Sequence, residues 1–340
     1  MITLGINGFG RIGRLALRSA LLYYPNVQIG LINTSDSMKL ADWVHLFKYD
    51  SVYGRFPQPV SAEDKVEGKI IGSIMVGERR IQFTTERDPS QIPWKDFGVQ
   101  TVLESTGVFR DTEGASKHIA GGAQKVIISA PGKGNVPFVM VGINADQHKE
   151  TKILSNCSCT TYSVAPVMKV MLDNFPILKA TMTTIHAYTA DQTLVDGSHK
   201  EDIRRARAAA VNITPTSSGA AKAVIGVLPQ LKGKFEASAI RVPVPVGSIS
   251  DMTFVLESQA SVTKVNTALQ MAAVGAFKGI IEATNDPIVS TDIIGNSHSA
   301  IVDLSLTQVI DGNLVKVFSW YDNEWSYACR LVELAQVVNT

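Results

Sequence analysis

The chain has 340 residues, of which 45% are apolar and 19% charged, and a formal net charge of +1. That length favours two domains over one core, and the balanced charge predicts no dedicated nucleic-acid surface. No window approaches the roughly twenty apolar residues of a membrane helix, no metal site is expected, and three cysteines argue against a disulfide framework and for the cytoplasm.

Ile2 to Ile6 is an apolar run that flows into Asn7-Gly8-Phe9-Gly10-Arg11-Ile12-Gly13, and helical periodicity follows at Ile12, Leu15, Ala16, Ser19 and Leu22. This reads as strand, glycine turn and helix. Arg11, Arg14 and Arg18 interrupt the apolar character, so the segment is folded structure and not a signal peptide. Gly8, Gly10 and Gly13 match the dinucleotide fingerprint, whose glycines allow a tight turn, backbone approach to a pyrophosphate and close helix packing. The fingerprint also calls for an acidic residue about twenty positions on, at the end of the second strand. Val27 to Ile32 reads as that strand but ends in Asn33-Thr34-Ser35, with Asp36 beyond. Small residues there admit a 2′-phosphate, and so NADP beside NAD, unless Asp36 swings back in a longer loop.

Residues 56–84 carry alternating stretches and turn signals expected of an antiparallel insertion. Three further apolar strands are expected, ending at Ser105-Thr106-Gly107, at Ser129-Ala130-Pro131 and over Val139 to Ile143, with a helix over Thr112 to Ala120. Such alternation indicates a mostly parallel sheet with ligands across its carboxyl ends. Next comes Ser155-Asn156-Cys157-Ser158-Cys159-Thr160-Thr161, two thiols among hydroxyls, followed by apolar positions at helical spacing. A thiol there sits at a helix N-terminus, where peptide dipoles favour thiolate. The segment by itself does not choose between Cys157 and Cys159.

Ala180 to Tyr188 reads as a strand with His186 near its end. The polar stretch Thr189 to Thr216 has little apolar periodicity, which marks a functional or interface loop. Its Arg204, Arg205 and Arg207 form either a solvated face or an anion or subunit contact. A helix (Gly219 to Leu228), strands (Ala237 to Val244, Ser250 to Leu256), a helix (Lys264 to Phe277), a strand (Val315 to Trp320) and a final helix complete the chain. Cys329, His45, His118, His148, His199 and His298 match no chemistry in this reading, and the four tryptophans read as packing.

Taken together, Asn7 to Arg14, Ser158-Cys159-Thr160-Thr161, His186-Ala187-Tyr188-Thr189, Arg204 to Ala209, Pro215 to Lys222, Arg241-Val242-Pro243 and Tyr321-Asp322-Asn323-Glu324-Trp325 resemble the phosphorylating glyceraldehyde-3-phosphate dehydrogenase family. The likeness runs in order along essentially the whole chain. It implies an α/β protein: an N-terminal Rossmann-type doubly wound parallel sheet (residues 1–157 with 323–340) and a second α+β catalytic domain on a mostly antiparallel sheet (158–322).

The resemblance implies that Cys159 is the nucleophile and that His186, 27 residues later, is its base. Thr189 and Arg241 would grip the substrate's phosphate, while Ser158, Thr160, Arg205, Ser218 and Gly219 would hold the attacking inorganic phosphate. Gly8, Gly10, Arg11, Ile12, Gly13, Asn33, Thr34, Arg87, Thr106 and Ser129 would line the NAD or NADP site, and Asn323 would bond the nicotinamide carboxamide. The implied reaction is the reversible oxidation of D-glyceraldehyde 3-phosphate to 1,3-bisphosphoglycerate by a homotetramer, in glycolysis or gluconeogenesis. Alternatives are erythrose-4-phosphate oxidation, which the Pro215 to Lys222 pattern disfavours, and a non-catalytic nucleotide- or RNA-binding paralogue, which Cys159 and His186 disfavour.

Several positions depart from the family pattern. Tyr162 and Ser163 stand where Asn and a second Cys are usual, and Cys157 where Ala is usual, either as a small buried group or as a modulator of Cys159 oxidation. Thr34 replaces the Asp of NAD-dependent members. Gly197-Ser198 replaces Leu-Pro, as in photosynthetic NADP-using members, so Ser198 would reach a 2′-phosphate from a neighbouring subunit.

Overall fold

Strand β1 (Ile2–Asn7) is buried at almost every position, as a central parallel strand must be. It leads through the glycine turn into α1 (Arg11–Tyr23) and then β2 (Val27–Asn33), which pairs with β1 in parallel from Ile2↔Val27 to Asn7↔Asn33. There follow α2 (Leu40–Lys48), the short pair β3 (Tyr49–Asp50) and β4 (Gly54–Arg55), β5 (Val60–Glu63), β6 (Ile70–Val76), β7 (Arg79–Thr84), β8 (Thr101–Glu104), α3 (Thr112–Ala120), β9 (Lys125–Ile128) and β10 (Ile153–Ser155). In the computed structural model, which describes residues 1–340, these elements belong to a unit made of Met1–Cys157 and Ala328–Thr340.

The main sheet of this unit runs β10-β9-β8-β1-β2-β7-β6-β5. From β10 to β7 each neighbour is parallel, and the expected insertion is the antiparallel β5–β6–β7 meander at one edge. The chain leaves β1 on one side for β2 and returns on the other for β8. That reversal opens a crevice at the carboxyl ends of β1, β2 and β8, the place where doubly wound sheets bind ligands. Val139 to Ile143, expected as a strand, is not one. Gly142 adopts φ +80 and turns the chain, so the Met140 carbonyl accepts from Ile143, Asn144 and Ala145, and Ile153–Ser155 takes the sheet edge.

The second unit, Ser158–Tyr327, holds α4 (Cys159–Asn174), β11 (Ile177–Ala187), β12 (Thr214–Ser217), α5 (Ala220–Val227), β13 (Phe235–Val242), β14 (Ser248–Leu256), α6 (Val262–Val274), β15 (Ile281–Thr284), β16 (Ala300–Ile310) and β17 (Leu314–Tyr321). Its sheet runs β12-β13-β11-β14-β17-β16-β15, antiparallel except for β13–β11 and β16–β15. β14 and β17 alternate buried and half-buried residues along their length, the signature of a sheet with one face in a core. α4, buried at most positions, lies on that face against β14, β16 and β17.

The last helix, α7 (Trp325–Val337), returns the chain to the first unit from Ala328 onward. The sequence boundary at 323 falls earlier because Asn323 is tied into the second unit, its Oδ1 accepting from Gly247 N at 3.1 Å and Ser248 Oγ at 3.0 Å. No helix is long and apolar enough to cross a membrane.

Candidate active site

Ser158 caps α4: it is extended, and its hydroxyl accepts from the Thr161 N–H at 3.1 Å. Cys159 is therefore the first residue of the helix, as expected. β11 carries His186 one residue before its end, and the parallel register with β13 sets His186 directly beside Arg241. The Cys159 Sγ lies 3.5 Å from His186 Nε2. His186 Nδ1 donates to the Ala187 carbonyl at 2.7 Å, which assigns the ring proton to Nδ1 and leaves the Nε2 lone pair facing the thiol.

Arg241 Nη1 donates to the Ala187 carbonyl at 3.1 Å and to Thr189 Oγ1 at 2.8 Å, and it lies 3.2 Å from His186 Nδ1. Burial, and after it the guanidinium, set the electrostatics of the pair. Burial, reinforced by Arg241, pushes His186 down to about 3. Burial also pushes the Cys159 thiol up, against the pull of Arg241 and of the Thr160 hydroxyl. The thiolate expected from the helix start is thus overruled, and both groups are neutral at rest.

The sequence reading overlooked Tyr321. It is fully buried, and its hydroxyl joins Thr160 Oγ1 at 3.0 Å and Thr184 Oγ1 at 2.8 Å, while its ring stands edge-on to His186 at 5.9 Å. Its place in the motif ahead of Asn323 was the available signal. Asn323 spends its Oδ1 on Gly247 and Ser248, so the group it has left is the amide N–H2, a donor.

Thr189 and Arg205 meet at a second overlooked residue, Asp191. Thr189 Oγ1 donates to Asp191 Oδ1, and Arg205 Nη1 to Asp191 Oδ2 at 2.7 Å. Arg205 Nε also donates to Thr216 Oγ1 at 3.0 Å, and Thr216 in turn to Asp202 Oδ2 at 2.6 Å. Of the arginine cluster only Arg205 faces these groups; Arg204 is exposed and Arg207 pairs with Asp196 at the surface. Ser218 and Gly219 precede α5, where the Ser218 hydroxyl accepts from Ala220 N at 3.2 Å.

The departures from the family pattern have structural places. Tyr162 is fully buried with its ring edge-on to Tyr327 at 6.3 Å, and Ser163 lies among serines, 3.3 Å from Ser319 Oγ and 3.4 Å from Ser250 Oγ. Cys157, at φ 56, is fully buried with its Sγ 3.8 Å from the Val139 carbonyl, which fits the small buried group.

In the first unit, Gly8, Gly10, Asn33, Thr34, Arg87 and Thr106 line one cavity of about 430 Å³ at the carboxyl ends of β1, β2 and β8. Gly13 packs α1 onto the turn so closely that a Cβ would fall 2.1 Å from the Gly8 carbonyl oxygen. At Gly10 a Cβ would meet nothing within 4 Å, leaving room for a ligand. No side chain caps α1 at Gly10, so the backbone at Arg11 and Ile12 starts a helix open to an anion. The buried hydroxyls of Thr34 and Ser105 have no partner. Orphaned donors, an open glycine face and a bare helix start fit a dinucleotide.

Asn33 lines this cavity while its side chain is also tied within the protein. Its side chain is used within the protein, donating to Asn7 Oδ1 at 2.7 Å and Glu86 O at 2.9 Å and accepting from Glu86 N at 2.9 Å. Behind the cavity, the buried Glu104 carboxylate takes Asn7 Nδ2 at 2.6 Å, His118 Nε2 at 2.9 Å and Thr106 N at 2.8 Å. Trp94 Nε1 donates to His118 Nδ1 at 3.1 Å, which gives that histidine a structural task. Ser129 follows β9, its N–H on the Glu104 carbonyl, and does not line the cavity. Ser198 is exposed in the second unit. Asp36 pairs with Arg87 at the surface.

Both halves of the chain match known family models. Residues 2–112 match the family model described as glyceraldehyde 3-phosphate dehydrogenase, NAD binding domain, and residues 158–323 match its C-terminal domain. The chain is 47% identical over 339 residues to glyceraldehyde-3-phosphate dehydrogenase 1 of Streptomyces avermitilis, covering 99% of this chain and 98% of the relative. The corresponding enzymes of Mycolicibacterium smegmatis and Mycobacterium avium are 47% and 48% identical, each over 99% of this chain and 98% of the relative.

Proposed function

We propose that this chain, which belongs to the glyceraldehyde-3-phosphate dehydrogenase family, catalyses the reversible, phosphate-dependent oxidation of D-glyceraldehyde 3-phosphate to 1,3-bisphosphoglycerate. The observation that carries the reading is the Cys159 thiol 3.5 Å from an Nε2 lone pair whose ring is oriented by the Ala187 carbonyl. His186 takes the thiol proton as Sγ bonds the aldehyde carbon and returns it to the carbonyl oxygen, giving a thiohemiacetal. It takes that hydroxyl proton again as the carbon is oxidised to the thioester. When bound, the nicotinamide cofactor would supply the hydride acceptor for that step. An oxygen of inorganic phosphate then attacks the acyl carbon, the C–S bond breaks, and the acyl phosphate leaves Cys159 free.

The remaining groups position anions. Arg241 and Thr189 suit the phosphate carried by the substrate, because they converge beside His186. Arg205, with Ser158, Thr160, Ser218 and Gly219, suits the attacking phosphate. Burial holds His186 down and Arg241 adds to it; a phosphate on Arg241 offsets the second cause, so substrate arrival raises the basicity of the group that must act on it. Asn323 offers its N–H2 to the nicotinamide carboxamide, and Arg11, Ile12 and Gly13 offer the start of α1 to the pyrophosphate.

Family membership supports NAD as acceptor, and we extend the reading to NADP. Thr34 puts an unpartnered hydroxyl where a carboxylate would repel a 2′-phosphate, and Arg87 lines the same cavity. Ser198 of a neighbouring subunit would add to this in a homotetramer. Association is supported by the exposed apolar side chains of the second unit's long loop, Leu194, Val195, Ile203, Val211 and Ile213. Three free thiols suit a cytoplasmic enzyme.

The test is reduction of NAD and of NADP by glyceraldehyde 3-phosphate, with and without inorganic phosphate, in the wild type and in Cys159→Ser. Turnover should require phosphate and vanish in the variant. Equal rates without phosphate or arsenate, or retained turnover in Cys159→Ser, would reject the mechanism.

A further inference from the structure

Thr189 and Arg205, assigned above to two different phosphates, are already joined by a carboxylate. Asp191 accepts from the Thr189 hydroxyl on one oxygen and from Arg205 Nη1 at 2.7 Å on the other. Arg241 closes the group by donating to Thr189 Oγ1 at 2.8 Å. Both guanidiniums and the Thr189 hydroxyl hold the Asp191 carboxyl below the ordinary carboxylate range against the effect of burial, so it carries its charge at neutral pH. Two oxygens spread over a hydroxyl and a guanidinium are what a bound phosphate would also present there.

The loop has ties of its own besides the carboxylate. The backbone around it is fixed by Gln192 N on Thr189 O at 2.9 Å, Thr193 N on Arg205 O at 3.3 Å, Ala209 N on Thr193 O at 3.0 Å and Gly197 N on Ala206 O at 2.9 Å. Arg205 keeps further partners in Thr216 Oγ1 and the Ser217 carbonyl.

We propose that Asp191 is a built-in counter-anion that links the two phosphate sites of the reaction, a role that rests on the functional reading above. A phosphate arriving at Thr189 and Arg241 takes the hydroxyl from Asp191, and the carboxylate keeps Arg205. A phosphate arriving at Arg205 displaces the carboxylate toward Thr189. Since the chain tethers Asp191, every bound phosphate meets a fixed negative charge, and two together meet it most strongly. The product bears both phosphoryl groups, so this charge weakens the binding of product more than that of either reactant and speeds its departure. Asp191 is a positioning residue and touches no reacting atom.

The experiment uses Asp191→Asn, which keeps the shape and removes the charge, in the full chain. The Michaelis constants for inorganic phosphate and for the aldehyde should each fall, by about two- to fivefold for phosphate, the scale of one largely exposed charge contact. kcat should fall as product release slows. Inorganic phosphate alone, titrated onto the enzyme and followed by thermal shift, should reach its midpoint at a correspondingly lower concentration. A residue that only held the loop would leave phosphate binding weaker or unchanged, and either of those results overturns the proposal. Asp191→Ser repeats the measurement if the Asn variant folds poorly. Failure of the functional reading looks different: the wild type then gives no phosphate-dependent turnover, while the phosphate titration still reports on Asp191 by itself.

Discussion

His186 gives its Nδ1 proton to the carbonyl of Ala187 at 2.7 Å, and that bond is what turns Nε2 toward Cys159 as an acceptor. The relationship predicts that His186→Asn lowers kcat by about 10² to 10⁴, the usual worth of a positioned base, with little change in the Michaelis constant for the aldehyde. Steady-state kinetics at saturating phosphate measure both. A variant within a few fold of wild-type kcat would remove His186 from the mechanism.

The same burial makes the protein sensitive to acid. His186 titrates near 6.5 when unfolded but at about 3 in the folded chain. Between those values the unfolded state binds a proton that the folded state refuses, so stability falls as pH falls, by about 1.4 kcal/mol per pH unit well inside the window. Replacing His186 with Asn removes this proton. Melting temperatures measured from pH 6.5 to pH 4 should therefore decline less steeply in the variant than in the wild type. Parallel curves would mean that His186 is not buried in its neutral form.

Arg241 lowers the Cys159 thiol against the burial that raises it. Exchanging Arg241 for Met removes the one cation in that balance, so the thiol moves further up and less thiolate is present at any given pH. Iodoacetamide alkylation of Cys159 should slow at pH 8, and its rate profile should shift to higher pH. In the wild type, saturating inorganic phosphate should slow alkylation in the same direction by screening the same charge. An unchanged profile in the variant would separate the guanidinium from the nucleophile.

How far the sequence discloses this site depends on whether the controlling interaction is local. The Gly8, Gly10 and Gly13 pattern is readable because each requirement arises within one turn, down to the contact between Gly13 and the Gly8 carbonyl oxygen. The cap at Ser158 and the periodicity of α4 are equally local. The resting charge of Cys159 is not: a helix start pulls toward thiolate, while burial overrides it and the nearest partners, His186 and Arg241, come from far along the chain. Tyr321 reaches Thr160 across 161 positions and Asn7 reaches Glu104 across 97, so neither partnership leaves a spacing to detect. Val139 to Ile143 misled for the converse reason. Its residues are apolar because they are mostly buried, and a single glycine at positive φ decides that they turn.

Arg87 is the side chain on which acceptance of a 2′-phosphate would turn. Its guanidinium lines the cavity that also holds the orphaned Thr34 hydroxyl, and it pairs with Asp36 while both side chains stay mostly exposed, 75% and 67%. An exposed pair of this kind is worth about 0 to 1 kcal/mol, whereas a guanidinium meeting a phosphate forms two charge-assisted bonds. A 2′-phosphate should therefore displace Asp36 with ease. Arg87→Ala should raise the Michaelis constant for NADP by roughly ten- to a hundredfold and leave that for NAD within about twofold, in line with the loss of a charged partner from one ligand only. Asp36→Asn should act oppositely and more weakly, lowering the constant for NADP by freeing the arginine. The measurement is the ratio of kcat/KM for the two cofactors across the three proteins. If Arg87→Ala weakens NAD and NADP alike, the arginine supports the cavity as a whole and Thr34 is left without a charged partner for selecting NADP.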